Sequence, residues 1–147
     1  MEPAHRERLE ALLAREHVAV LVTQGEQWPT ATMQAFAETP ELDLIFIMQA
    51  GHQRFKNLVA RPNVSVFVDD RCRGDIASFK VSRVTIQGVA TQVPSSGDQW
   101  AHLKKLFLWK NPFEAPFFEL PMLKMVRVTP RHISYAGARG MIFKAEL

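Results

Sequence analysis

The sequence predicts a mainly β protein, an antiparallel and Greek-key-like β-barrel of about six or seven strands with short helices at its rim. β-Branched and apolar segments of strand length follow one another through short turns rich in Gly, Pro and Asn. Only three short segments space their apolar residues as helices do. The longest strand-like segment, Ser78–Val93, contains Gly88 near its middle, where a barrel wall needs a bulge or a bend.

The first third of the chain is expected to form a helix and then three successive strands. Leu9, Leu12 and Leu13 recur at helical spacing among charged residues and predict an amphipathic helix. A polar turn between the next two β-rich segments predicts a hairpin, and a second turn leads into a third antiparallel strand. The elements are the helix Ala4–Glu16 and the strands His17–Thr23, Thr30–Ala37 and Leu42–Met48.

The segment Leu42–Val68 organises the rest of the chain. Its buried strand ends in a turn at Gly51, and a short helix follows over His52–Ala60, with Arg54, Lys56 and Asn57 away from its apolar side. A second strand begins directly after the helix, with Val64, Val66 and Val68 on one side. The first turn of such a helix offers unpaired N–H groups and the positive end of the helix dipole, and Arg54 adds a charged fork. This arrangement suits an anion. The alternative interpretation is an ordinary turn at Gly51 and a solvated Arg54.

The second half of the chain is expected to complete the barrel. Ser78–Val93 places Val84, Ile86 and Ala90 on one face of a long strand. The segment Asn111–Pro121 is rich in Pro and Phe and cannot form one long regular helix. The remaining predictions are a loop over Arg71–Asp75, a helix over Gln99–Trp109, a strand over Met122–Val128, a turn over Thr129–Arg131 and a strand over Ile133–Tyr135.

Length and composition indicate one soluble globular domain. The chain has 147 residues, of which 47% are hydrophobic and 22% charged. The domain is expected to contain an N-terminal helix over 1–16, a barrel over 17–135 with helices near 51–60 and 98–109, and a tail or edge strand over 136–147. No internal repeat is present.

Several classes of function are disfavoured by the sequence. Cys72 is the only cysteine and the five histidines show no ligand spacing, so no metal site and a reducing cytoplasm are expected. The charged N-terminus does not resemble a signal peptide, and no apolar run approaches the ~20 residues that cross a membrane. The net charge of +3 is spread along the chain, which disfavours nucleic acid as a partner but favours small anionic ligands.

The segment FIMQAGHQRFKNLVARPNVSVFV, residues 46–68, resembles the strand, turn, helix and strand of the pyridoxamine 5'-phosphate oxidase-like family, the FMN-binding split β-barrels. The resemblance extends over about Val18–Tyr135. It implies a split β-barrel that forms a homodimer, with two FMN sites at the interface and each site built from both chains. The tail GARGMIFKAEL does not look like the Arg- and Trp-bearing segment with which true pyridoxamine 5'-phosphate oxidases help to bind substrate.

The resemblance also implies a set of FMN-binding residues. Arg54 stands where the family binds the phosphate, while Gln53 and His52 stand where many members carry a second Arg and a Ser. Arg83 matches a strand position whose polar side chain is directed at the flavin; the alternative is a surface arginine paired with an acid. The flavin ring would lie along Thr32, Met33, Gln34 and Ala35, approached by Ile47 and Met48, with Trp109, Phe113, Phe117 and Phe118 as candidates for a wall over it or for core packing.

The expected function is that of an FMN-dependent oxidoreductase whose flavin is reduced by NAD(P)H or by a small substrate. The resemblance leaves deazaflavin and haem as alternative cofactors, because some members of the wider family bind them. The competing interpretation is a non-catalytic barrel that carries or senses such a ligand, with a phosphate site altered by His52 and Gln53. The sequence identifies neither catalytic residues nor a substrate.

Overall fold

The computed structural model describes residues 1–147, which form one curled antiparallel β-sheet with short helices around it. The mainly β class predicted from the sequence is therefore confirmed. The helices are α1 (Pro3–Arg15), α2 (Gln53–Ala60) and α3 (Asp98–Lys110), and short 3-10 segments cover Ile76–Ser78 and Pro112–Glu119. The strands are β1 (Val18–Gln24), β2 (Pro29–Ala35), β3 (Ala37–Glu38), β4 (Leu44–Gln49), β5 (Asn63–Asp69), β6 (Arg83–Val93), β7 (Leu123–Ala136) and β8 (Ile142–Glu146).

The strands follow the order β2-β1-β5-β6-β7-β4-β3 across the sheet, and β8 pairs with β7. The predicted hairpin is present, because β1 and β2 pair over their whole length. The expectation that β4 adds directly to this hairpin is wrong: β4 pairs with β3 and β7. Leu44, Ile45 and Phe46 are buried in succession, so both faces of β4 are covered, as they are in an interior strand.

The strand β7 is longer than predicted. The turn expected at Thr129–Arg131 is wrong, because β7 continues through these residues and pairs with β6 along its length. Gln87 faces His132 and Gly88 faces Pro130, so Arg131 is the extra residue of a bulge. A proline is tolerated at such an irregular position because the regular ladder of hydrogen bonds is interrupted there.

Gly88 of β6 is the bend predicted in the longest strand-like segment of the sequence, and its lack of a side chain is required. A Cβ atom at this position would lie 2.4 Å from the carbonyl oxygen of Thr129. The strand itself begins at Arg83 and not at Ser78, because Ile76–Ser78 forms a 3-10 turn and Phe79 adopts a left-handed conformation with φ 55°.

Two hydrophobic clusters form the core. The larger fills the curled sheet and is covered by α1 through Leu9, Leu12 and Leu13, and the smaller packs α3 against β4 and β7. The predicted buried faces of β5 and β6 belong to the larger cluster. None of the helices combines the length and the apolar character needed to cross a lipid bilayer.

Lys110 connects α3 and β3, which contribute to the smaller cluster, with α1, which covers the larger one. Its side chain is buried at the end of α3, and its ammonium group donates to the carbonyl of Leu13 at 2.6 Å and to the carboxylate of Glu38. The ammonium also lies 4.1 Å from the ring centre of Phe36. All three directions of the ammonium group are therefore satisfied, which makes Lys110 a structural connection between α1, β3 and α3.

Candidate functional site

A cleft of about 340 Å³ lies where β2, β4, the start of α2 and the 3-10 segment Pro112–Glu119 meet. Its walls are mostly apolar and its ionisable groups are His52, Arg54 and Glu114. This combination of apolar walls with a few polar groups is typical of small-molecule sites. The lining residues are Val18, Met33, Gln34, Ala35, Ile47, Met48, Gln49, His52, Arg54, Phe113, Glu114, Phe117 and Leu123.

The cleft brings together most of the residues named from the sequence, although they come from four separate elements. Met33, Gln34 and Ala35 come from β2, Ile47 and Met48 from β4, His52 and Arg54 from the start of α2, and Phe113 and Phe117 from the 3-10 segment. A second hollow of about 410 Å³ lies over the outer face of the sheet near Gly88 and contains none of the cofactor-binding residues expected from the sequence.

Two of the remaining site candidates border the cleft without lining it. Thr32 accepts a hydrogen bond from Nε2 of Gln34 at 3.2 Å, so it orients a cleft residue. Gln53 donates from Nε2 to Oδ1 of Asn57 at 2.8 Å, which directs its amide along α2.

The other candidates lie elsewhere in the chain. Arg83 is at the start of β6, with its guanidinium 4.8 Å from the ring centre of Phe79 and no carboxylate partner. Trp109 is 87% exposed and borders a groove between α1, β3 and α3. Phe118 packs edge-on against Trp100 and Phe107, in the core role that was its alternative.

Arg54 is a partly buried cation without a counterion. It lies in the first turn of α2, forms no ion pair, and its buried Nε atom has no hydrogen-bond partner. Burial lowers the pKa of Arg54 from its ordinary value, because the charged form is poorly solvated there. An anion in the cleft would supply the missing acceptor and offset this loss of solvation.

His52 precedes Arg54 at the start of the same helix. Its Nδ1 atom accepts a hydrogen bond from the backbone N–H of Gln49 at 3.4 Å, so the proton of the neutral ring is on Nε2. Burial, together with the nearby charge of Arg54, lowers the pKa of His52. His52 is therefore neutral at pH 7 and offers one N–H donor.

Gln34 supplies the complementary group on the β2 side of the cleft. Its side chain is buried, and while Nε2 donates to Thr32, the Oε1 atom has no donor. The cleft thus contains one buried donor without an acceptor, on Arg54, and one buried acceptor without a donor, on Gln34. Unsatisfied buried groups are uncommon in proteins, and a ligand with an anionic end and N–H or O–H groups would satisfy both.

Two residues that matter here could not be identified from sequence patterns. Glu114 lines the cleft among phenylalanines, forms no ion pair, and burial raises the pKa of its carboxyl group. Asn57, predicted to lie away from the apolar side of α2, is completely buried. Helical spacing counts Asn as polar, so no local signal distinguishes a buried amide from a solvated one.

Gly51 proves to be an ordinary turn residue. Its φ angle is not positive, and a Cβ atom at this position would meet nothing within 4 Å. The start of α2 is nevertheless open to the cleft through His52 and Arg54. The anion site predicted there therefore depends on the helix and on Arg54, and not on a glycine that allows close approach.

The sequence pattern of the family described as pyridoxamine 5'-phosphate oxidase matches residues 5–137, a span that includes every element lining the cleft. The chain belongs to this family. Within it, the split β-barrel predicted from the resemblance is the fold observed. No curated protein sequence matches this member of the family significantly.

Solved structures show the same fold at low sequence identity. A heme binding protein from Mycobacterium smegmatis has a TM-score of 0.87 and 16% identity, covering 99% of this chain and 59% of that protein. The heme storage protein HutZ from Vibrio cholerae has a TM-score of 0.72 and 17% identity, covering 85% of this chain and 89% of HutZ. An FAD-binding protein from Mesorhizobium loti has a TM-score of 0.70 and 17% identity, covering 88% of this chain and 90% of that protein.

These likenesses concern the fold, which is shared by proteins named for different ligands. The pyridoxamine 5'-phosphate oxidase family member described here spans about three fifths of the Mycobacterium protein, with 59% of that chain covered. The ligand of this chain has to be argued from its own cleft.

Proposed function

We propose that the chain binds FMN in the cleft, with the phosphate at Arg54 and the start of α2. The observation that carries this proposal is the buried Nε atom of Arg54, a charged donor without an acceptor at the positive end of a helix. The Nε2–H group of His52 adds a neutral donor on the same side of the cleft. Together these groups suit a phosphate dianion.

The rest of the cleft suits a flat amphipathic ring. Met33, Ile47, Met48, Phe113 and Phe117 provide apolar contact area, and Oε1 of Gln34 can accept from an N–H or O–H group of the ligand. A bound flavin supplies hydride or single-electron transfer, with NAD(P)H or a small substrate as the proposed reductant. On this basis we propose an oxidoreductase located, as the sequence predicts, in the cytoplasm.

A homodimer is part of the proposal. Met33, Phe113 and Phe117 are exposed at the rim of the cleft, where a second chain would cover them. Arg83 lies outside the cleft of its own chain and has no carboxylate partner, so its predicted role at the flavin requires that it reach the cleft of the other chain. Size-exclusion chromatography with light scattering measures the oligomeric state directly.

A haem carrier is the second candidate, because proteins named for haem binding and storage share the fold and His52 lines the cleft. Haem iron binds the lone pair of an imidazole nitrogen. The backbone N–H of Gln49 occupies the lone pair of Nδ1 and leaves a proton on Nε2. This geometry favours an anion partner for His52 over iron, and therefore favours FMN or deazaflavin over haem.

Absorption spectra of the purified protein, recorded with FMN, with deazaflavin and with haemin, distinguish these ligands. Flavin bands near ~375 and ~450 nm that persist through desalting support the proposal. A Soret band with added haemin and no retention of FMN would reject it. Oxidation of NAD(P)H by the FMN-loaded protein then separates an enzyme from a carrier.

The phosphate assignment has its own test. Arg54→Ala is expected to weaken FMN binding by about 1.5 to 3 kcal/mol, the range for a hydrogen bond to a charged group. Riboflavin, which lacks the phosphate, is expected to bind both proteins equally. Lys56→Ala is the matched control, because it removes a positive charge from the same helix outside the cleft. Equal FMN affinities of Arg54→Ala and wild type in a fluorescence titration would disprove the assignment.

A further inference from the structure

We propose that Asn57, which does not line the cleft, is a positioning residue that fixes α2 on the β1–β2 hairpin and so holds Arg54 toward the ligand. This inference rests on the proposed phosphate site and adds to it a residue that never touches the phosphate. Asn57 lies one helical turn after Arg54, with its side chain on the opposite side of α2 from solvent.

The amide of Asn57 is completely buried and completely hydrogen-bonded. Its Nδ2 atom donates to Oγ1 of Thr23 at 3.1 Å and to Oγ1 of Thr30 at 3.4 Å. Its Oδ1 atom accepts from Nε2 of Gln53 at 2.8 Å. The two N–H groups of one side chain therefore reach both strands of the hairpin, Thr23 on β1 and Thr30 on β2.

The same hairpin forms the opposite wall of the cleft. Thr30, Thr32 and Gln34 alternate along β2 and so point to one face of the strand. Asn57 bonds the first of these residues, while Gln34 at the other end of the row bonds Thr32 and lines the cleft. Asn57 thus connects the helix that carries Arg54 to the strand that carries Gln34.

A second connection, at the end of α2, also attaches the helix to the β1–β2 hairpin. The backbone carbonyl of Asn57 accepts from the N–H of Arg61 at 2.7 Å, and Nε of Arg61 donates to the carbonyl of Gln24 at 2.7 Å. A helix of eight residues has little stability of its own and takes its orientation from such contacts. Loss of the amide leaves the buried hydroxyl of Thr23, the half-buried hydroxyl of Thr30 and the amide of Gln53 without their partner, which allows α2 to shift and Arg54 to move with it.

The test compares FMN with riboflavin, because only FMN carries the phosphate. Asn57→Ala is expected to weaken FMN binding ~10-fold, the loss of about one charged hydrogen bond. Its affinity for riboflavin is expected to stay within ~2-fold of wild type, since Asn57 does not contact the ring site. Placed in an Arg54→Ala background, Asn57→Ala is expected to cause no further loss of FMN affinity, because the group that it positions is gone.

Thr23 provides a matched pair of variants if Asn57→Ala does not fold. Thr23→Val keeps the shape of a fully buried side chain but removes the acceptor for Nδ2 of Asn57, whereas Thr23→Ser keeps the acceptor. We expect Thr23→Val to lower the preference for FMN over riboflavin and Thr23→Ser to restore it.

Two results would overturn the proposal, and they are distinguishable. If wild type prefers FMN over riboflavin and Asn57→Ala and Thr23→Val keep that preference, Asn57 is only a packing residue and the phosphate site stands. If wild type binds FMN and riboflavin equally, the phosphate site itself is wrong and the positioning role fails with it.

Discussion

The start of α2 concentrates two basic side chains with no acid bonded to either. Arg54 is charged and His52 is neutral at pH 7, because burial and the charge of Arg54 both lower the pKa of His52. Glu114 is the only acid that lines the cleft, and burial raises the pKa of its carboxyl group. The balance of charge at this end of the cleft therefore depends on whether His52 holds a second proton.

FMN binding is expected to take up a proton at Nδ1 of His52, which then gives up the hydrogen bond that it accepts from the backbone N–H of Gln49. The pKa of His52 is low in the free protein, and a bound phosphate raises it by favouring the imidazolium form. The contribution of His52 to FMN affinity therefore increases as the pH falls through the range between the pKa of the free protein and that of the complex. The lower end of this range lies below 6.5, the ordinary pKa of a histidine. Calorimetry in two buffers of different ionisation enthalpy measures the proton uptake.

His52→Gln is the control for this pH dependence. The phosphate of FMN titrates in the same way with either protein, with a second pKa of about 6. The difference in proton uptake between wild type and His52→Gln therefore reports the proton bound by His52. The same proton uptake in wild type and His52→Gln would show that His52 does not face the phosphate.

At the scale of single elements, the sequence correctly predicted the helices and strands whose position depends only on the spacing of apolar residues within one segment. The alternation of Val64, Val66 and Val68 correctly gave the buried face of β5. The strand β7 was divided by a turn in the prediction, because Pro130 is a turn signal unless a bulge in its own strand accommodates it. Gly88 supplies that accommodation from a segment about forty residues earlier, which no local pattern can reveal.

The site residues that lie close together in the chain could likewise be predicted, and those that packing brings into place could not. Ile47, Met48, His52 and Arg54 lie in one short segment whose order along the chain already places them together. Asn57 and Glu114 could not be identified, because their burial depends on the packing of α2 on the hairpin and of the 3-10 segment on α3 and β7. The buried positions of Asn57 and Glu114 result from how the elements pack together, and the residue types alone do not indicate them.

Gly88 and Gly51 are expected to respond differently to alanine. Gly88→Ala places Cβ against the carbonyl of Thr129, so we expect a loss of about 1 to 3 kcal/mol in the free energy of unfolding. Gly51→Ala has open space and an unstrained backbone, so we expect a change within about 0.5 kcal/mol. Urea denaturation measures both, and equal losses in the two variants would contradict the account of the bulge.

At the scale of the whole molecule, Lys110 joins parts that are far apart in the chain. Its ammonium contacts the end of α1 and the short strand β3 from the last residue of α3. Burial lowers the pKa of Lys110, while Glu38 acts in the opposite direction. The connection therefore depends on keeping both partners together, since either group alone is poorly solvated.

Lys110→Ala is expected to lower the free energy of unfolding by about 3 kcal/mol, because Glu38 and the carbonyl of Leu13 lose their donor and the packing at Phe36 is reduced. Lys105→Ala on the exposed side of α3 is the matched control, with an expected change within about 0.5 kcal/mol. Thermal unfolding at pH 7 compares them, and equal midpoints would show that Lys110 stabilises nothing.

The pairing of β4 with β7 also bears on how the molecule forms during translation. Strands β1, β2, β5 and β6 can associate as soon as β6 has left the ribosome, since they are neighbours in the sheet. β4 emerges before β5, but apart from the two residues of β3 its partner is β7. The backbone N–H and C=O groups along that edge of β4 therefore have no strand to pair with until β7 is made. The nascent chain therefore carries a strand that can pair with other chains until β7 follows. The cleft between Ile47 and Leu123 is also completed only when β7 is in place.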